Sequence, residues 1–178
     1  AQVSQVITIT NNASASVGTP YSLGASASSN LTLSYTVDGS SSATCSVDSS
    51  GTVTFATAGD CVVNVSQAGT NMYSGTTTQK MVHGNQVTQT IAVTSTAPTN
   101  AVVGGATYAP VATATSSLSV AITVTGYCTI SSGVISFTGA GNCVVTFNQA
   151  GTNKYSAAPA QSQTISVAPG TQVITWSS

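Results

Sequence analysis

The chain repeats itself. Phe55-Ala-Thr-Ala-Gly-Asp-Cys61-Val-Val-Asn-Val-Ser-Gln-Ala-Gly-Thr-Asn71-Met-Tyr73-Ser74 returns as Phe137-Thr-Gly-Ala-Gly-Asn-Cys143-Val-Val-Thr-Phe-Asn-Gln-Ala-Gly-Thr-Asn153-Lys-Tyr155-Ser156, at an offset of 82 (143 − 61). Gln5-Val-Ile-Thr-Ile9 matches Gln89-Thr-Ile-Ala-Val93 at offset 84, and Gln89 in turn matches Gln172, which opens Gln172-Val-Ile-Thr-Trp176, at offset 83. The drift in offset marks loop differences: Ser40-Ser-Ser-Ala-Thr44 in the first copy faces only Tyr127 in the second. A period this long means duplicated small domains rather than one large domain. The expected organisation is a first repeat over 1–84, a second over 85–169, and residues 170–178 as the opening strand of a further repeat or a donated strand.

Within each copy the period is two. Leu31, Leu33, Tyr35 and Val37 alternate with Thr32, Ser34 and Thr36, and Leu118, Val120, Ile122 and Val124 alternate with Ser119, Ala121, Thr123 and Thr125. Such alternation means strands with one buried face and one wet face. The reading places strands at 5–10, 21–27, 31–37, 44–47, 52–55, 61–66 and 76–82, then at 89–95, 107–113, 118–124, 128–130, 134–137, 143–148 and 161–167. Val17-Gly-Thr-Pro20, Asp48-Ser-Ser-Gly51, Val103-Gly-Gly105 and the two Gln-Ala-Gly-Thr-Asn loops supply turns between them. The fold class is all-β. About seven short strands per copy predict two tandem immunoglobulin-like β-sandwiches.

The cysteines fall one pair per copy. Four cysteines allow three connectivities, and the repeat symmetry favours Cys45–Cys61 and Cys128–Cys143, separations of 16 and 15 residues. Cys61 is in phase with Val63 and Val65, and Cys143 with Val145 and Phe147, so both point inward. A zinc site wants closely spaced Cys and His pairs, whereas the one histidine, His83, has no counterpart in the second copy. Disulfides imply an oxidising compartment, hence an extracellular or cell-surface location.

The opening Gln-x-Ile strand, the Val-Gly-Gly turn, the paired cysteines around Ser-Gly-x-Val-x-Phe and the Gln-Ala-Gly-Thr-Asn-x-Tyr loop together resemble the bacterial immunoglobulin-like (Big-type) repeats of large secreted and cell-surface proteins. The resemblance covers nearly the whole chain. It implies stalk, spacer or adhesive modules in tandem arrays, and it brings no catalytic residues with it. Antibody-type domains are not matched: no Trp precedes the second cysteine, and Tyr73 and Tyr155 follow it by 12 residues (73 − 61 and 155 − 143).

Charge excludes several functions. Asp38, Asp48, Asp60, Lys80 and Lys154 carry all the side-chain charge, 3% of the chain against roughly 25% in an average protein. Two lysines and no arginine cannot neutralise phosphates, which removes nucleic acid as a partner. No apolar run approaches the roughly 20 residues a bilayer-spanning helix needs. Nucleophilic catalysis needs a base beside the nucleophile, and His83 reads as a solvent-facing residue between the repeats. No enzyme, cofactor or metal is expected. Asp38, Asp48 and Asp60 do not make a calcium site, because Thr125, Ser131 and Asn142 stand at the matching positions of the second copy.

The remaining features divide between scaffold and ligand. The Gln-Ala-Gly-Thr-Asn-x-Tyr loop reads as a tight turn with its Gly at positive φ. Trp176 aligns with Ile9 and Val93 and reads as a core residue of a further repeat. The triplets at Asn12, Asn30 and Asn64 carry no information in a chain with 28 Ser and 30 Thr. Thr8/Thr10, Thr52/Thr54, Thr113/Thr115 and Thr123/Thr125 fit neutral strands wet on one face; a glycan or ice surface is the alternative. Near-zero charge removes the self-repulsion that keeps soluble monomers apart. The expectation is self-association into a fibre, or neighbouring repeats of the same chain, with Gln172, Val173, Ile174, Thr175 and Trp176 as an assembly strand.

Overall fold

A computed structural model describes residues 1–11 and 14–176; Asn12 of the first Asn-x-Ser/Thr triplet and Ser177–Ser178 of the tail lie outside the described residues. The chain divides into two compact units, Ala1–Val87 and Thr88–Ser178. This junction lies three residues beyond the 84/85 junction read from the repeat, because the last strand of the first unit runs through Asn85.

The first unit contains β1 (Ile7–Ile9), β2 (Ala15–Ser16), β3 (Tyr21–Ser22), β4 (Ala25–Ala27), β5 (Ser34–Val37), β6 (Cys45–Val47), β7 (Thr52–Phe55), β8 (Gly59–Gln67) and β9 (Thr76–Asn85). One layer pairs β1 with β4 and orders β3-β7-β6; the other orders β2-β9-β8-β5. The second unit repeats this with β10 (Ile91–Val93), β11 (Ala101–Val102), β12 (Ala112–Ala114), β13 (Ala121–Gly126), β14 (Cys128–Ser131), β15 (Val134–Phe137), β16 (Gly141–Asn148) and β17 (Gln161–Ala168). Here β10 pairs with β12, β14 with β15, and the opposing sheet is β11-β17-β16-β13. Each unit is an immunoglobulin-like β-sandwich.

Three differences from the sequence reading have local causes. The opening strand splits, its first part antiparallel on β4 and its second, β2, parallel on Gly84 and Asn85. The same crossing puts β11 parallel on Val167 and Ala168; two-residue strands leave no alternation to detect. The segment read as 21–27 breaks into Tyr21–Ser22 and Ala25–Ala27 at Gly24, where a left-handed φ of +60° turns the chain. Its counterpart 107–113 breaks instead around Pro110, which has no N–H for a ladder; only Tyr108 bridges to Ile135 ahead of β12. Residues 31–33 and 118–120 keep their in-out alternation but precede the laddered strands.

The two cores share their central positions. Val53, Phe55, Cys61, Val63 and Val65 are sealed in one unit, and Ile135, Phe137, Cys143, Val145 and Phe147 in the other. Burying a Val, Ile or Phe side chain contributes about 1.5–3 kcal/mol, so these shared positions outweigh any surface pair. Outside the core the alternation delivers Thr8, Thr10, Thr113, Thr115, Thr123 and Thr125 to solvent.

Candidate functional site

The recurring polar residues meet at one place in each unit. Gln5, ahead of β1, is buried. Its side-chain nitrogen donates to Gln67 Oε1 at 2.5 Å and to the Ser74 carbonyl at 2.7 Å, while its oxygen accepts from Ser29 Oγ at 2.5 Å. Gln67 Oε1 also accepts from Gly69 N at 2.5 Å. Gln89 repeats every contact: its nitrogen donates to Gln149 Oε1 and the Ser156 carbonyl, both at 2.6 Å, and its oxygen accepts from Ser116 Oγ. Gly151 N closes the second network on Gln149 Oε1 at 2.6 Å.

This arrangement gives the two most repeated motifs a joint purpose. The opening Gln is an amide key, and the Gln-Ala-Gly loop with a preceding Ser is its lock. An amide offers two donors and an acceptor with two lone pairs, and both keys use the two donors and the acceptor. The loop is shaped to fit. Gly69 and Gly151 sit at φ +86° and +81°, as the repeat implied, and a Cβ on Gly69 would lie 2.6 Å from Gly75 N. Thr70 Oγ1 accepts from Met72 N and Tyr73 N at 3.2 Å each and tightens the return. The key was missed from sequence because Gln5 and Gln67 are 62 residues apart, although the recurrence of Gln at 5, 89 and 172 was the available signal.

The cysteines pair as the repeat symmetry indicated: Cys45–Cys61 and Cys128–Cys143, with Cα–Cα distances of 5.9 and 5.5 Å. Each bridge joins one sheet to the other, since Cys45 lies in β6 and Cys61 in β8, and Cys128 in β14 and Cys143 in β16. A cross-sheet bond resists the one motion hydrogen bonds along a sheet do not oppose, the parting of the two layers.

Other candidates are not brought together. His83 is not between the repeats but in β9, opposite Asp60 in β8, with Nδ1 2.6 Å from Asp60 Oδ1. Both side chains are more than half exposed, at 59% and 58%, so the pair contributes little. Asp38 caps the 3-10 turn Gly39–Ser41. Asp48 Oδ1 accepts from Ser50 N, Ser50 Oγ and Thr52 N at 2.6–2.9 Å. Hydrogen bonds from Ser40 and from Ser50 respectively hold these two carboxyls below the ordinary carboxylate range. Among the described residues no three His, Cys, Asp or Glu side chains group for a metal. A groove of about 320 Å³ in the first unit is lined by Leu31, Leu33 and Tyr35 together with Asn30, Ser49 and Ser50.

The tail departs from its two copies. Residues 171–176 make no strand pairing, and Val173, Ile174 and Trp176 are 82%, 76% and 92% exposed. Trp176, read from its alignment as a core residue, is bare.

No protein-family model matches the chain, and no curated protein matches it. Among solved structures it is similar to human protocadherin-24 EC1-2, at 14% identity over 87% of this chain and 90% of that one, TM-score 0.34. It is also similar to the fibronectin(III)-like modules of Clostridium thermocellum CbhA, at 15% identity over 92% and 95%, TM-score 0.37. A third is the S-layer protein rSbsC(31-844), at 16% identity over 98% of this chain and 29% of that one, TM-score 0.35. With values this low, the fold assignment rests on the strand pairing and the core.

Proposed function

We propose that the chain is a structural module of an extracellular bacterial fibre, stalk or filament, in the manner of the Big-type repeats its motifs resemble. One observation carries this reading: the polar and sulfur groups that recur between the units are spent on closing the fold. The cysteines staple sheet to sheet, and the glutamines latch the opening strand to its loop. A binding or catalytic module keeps its recurring polar groups directed at a ligand. Two further features support an exterior spacer. Disulfides persist in oxidising surroundings, and flanks of Ser, Thr, Gly and Ala pack side by side without desolvating ions.

Immunogold labelling of the cells that make the protein tests the proposal. Gold aligned along extracellular fibres or a surface layer is the expected result; label confined to the cytoplasm would reject it. A second reading, a glycan-binding surface module, is favoured by the groove lined by Leu31, Leu33 and Tyr35, whose apolar side chains stand together with the hydroxyls of Ser49 and Ser50, a mixture that suits a neutral sugar. Retention on a glycan array that Tyr35→Ala abolishes would establish it.

A further inference from the structure

A strand at the end of a sheet shows solvent a row of main-chain N–H and C=O groups, and proteins blunt it by brevity, charge, proline or a bulge. Three of the four ends of the long sheets are blunted here. β2 and β11 have two residues each, and β5 stops after four, where Asp38 turns off into the 3-10 turn Gly39–Ser41. The fourth end, β13, runs for six residues without a charge or a proline, up to Gly126 at φ +89°. The second unit has one charged side chain, Lys154, so it holds almost no ion with which to guard this edge.

The direction of the open groups follows from the ladder. Asp38 N donates to Val62 O at 2.8 Å beside β5, and Tyr127 N donates to Asn142 O at 3.1 Å just after β13. Main-chain direction alternates along an antiparallel strand. Ala121, Thr123 and Thr125 therefore face β16, while Ile122 and Val124 turn their N–H and C=O away from it. The side chains alternate too: Ile122 and Val124 are half-buried against the core, and Ala121, Thr123 and Thr125 are exposed.

We infer that the edge of β13 is the seat of a second copy of this chain, bound antiparallel about a two-fold axis through Thr123. In this register Ile122 exchanges both main-chain bonds with the partner's Val124, and Val124 with the partner's Ile122. Thr123 meets the partner's Thr123 at a non-hydrogen-bonded position, where side chains approach closest and Thr pairs are favourable. Thr125 meets the partner's Ala121. Ala-Ile-Thr-Val-Thr keeps its alternation when reversed about Thr123, so apolar groups meet on the core side and small or hydroxylated ones on the wet side. A chain of net charge −1 brings little repulsion to such a contact, whereas a charged strand would find no counter-ion on β13. The two four-stranded sheets then run on as one, and an isologous contact of this kind closes on itself. The inference goes beyond the spacer reading, since it joins modules side by side and stands wherever the chain works.

Sedimentation of the full chain over a concentration series tests it. The expected result is a concentration-dependent dimer. Thr123→Lys and Thr123→Glu, at an exposed position, should each raise the dimer dissociation constant at least about tenfold by setting like charges opposite one another. Mixing the two variants should restore a mixed dimer, and Thr36→Lys, the matching position of β5, should change nothing. Both disulfides and an unchanged thermal transition certify that the variants fold. Amide hydrogen exchange of the unsubstituted chain supplies a reading free of mutation: Ile122 and Val124 should exchange at least about tenfold more slowly in the dimer, and their counterparts Tyr35 and Val37 at the same rate. A chain that stays monomeric up to about 1 mM overturns the inference. So does association that neither charged variant weakens, a mixture that stays monomeric, or exchange at Ile122 and Val124 that ignores concentration. None of these outcomes bears on the extracellular location, which the gold labelling decides separately.

Discussion

Tyr21 and Tyr108 occupy the same place in their units, bridging Val53 and Ile135 respectively, with opposite surroundings. Tyr108 Oη lies 2.7 Å from both Ser95 Oγ and Gln163 Oε1. Tyr21 Oη is buried and, among the described residues, has no hydrogen-bond partner. A buried hydroxyl without a partner is a cost, and removing it is neutral or favourable, whereas removing one member of a satisfied set strands the others. Tyr108→Phe should therefore destabilise the second unit by about 1–2 kcal/mol, while Tyr21→Phe should leave the first unchanged or stabilise it by up to ~1 kcal/mol; urea unfolding of the two variants compares them. The carboxylates give a second residue-scale expectation. The folded pKa values of Asp38 and Asp48 are depressed, so their contribution is complete above the unfolded value of about 3.9 and disappears as pH falls through the folded value. Thermal midpoints should show no loss from this source between neutral pH and about pH 4, and a decline below it that Asp48→Asn reduces.

At the scale of elements, short strands are held by cross-connections. The strand β1 makes only three ladder pairs with β4, and β10 three with β12, so their seating depends on the amide key as well as on the ladder. The disulfides close loops of 16 and 15 residues, each worth about 3 kcal/mol by loop entropy. Replacing Cys128 and Cys143 together by Ala should lower the stability of the second unit by about 3 kcal/mol, with the first unit's unfolding unmoved; calorimetry with separate transitions reads this directly. The same scale explains what the sequence could reveal. Strands β8 and β16 were legible because Cys61-Val-Val-Asn-Val and Cys143-Val-Val-Thr-Phe alternate over a fully buried face. The cysteine pairing was legible because duplication removed the competing connectivities. The crossings β2 and β11 were not, being two residues long and fixed by the last strand of their own unit. Nor was the key, whose partners come together only through the fold. His83 was placed between repeats because the strand signal fades after Val82, whereas pairing with β8 carries β9 through Gly84 and pairing with β2 carries it through Asn85.

Over the whole molecule the consistent feature is economy of charge. Three Asp, two Lys and one His in 178 residues leave a net formal charge of −1, and the carboxylates of Asp38 and Asp48 are engaged in turns. Two duplicated sandwiches thus present neutral, hydroxyl-rich surfaces and invest their distinctive groups in closure, which suits a spacer outside the cell. That account depends on the sulfur atoms being bridged where the protein works. Peptide mapping under non-reducing conditions, with thiols blocked during extraction from the native cells, examines this point. The expected result is linked peptides containing Cys45 with Cys61 and Cys128 with Cys143; blocked free thiol at all four positions would contradict it.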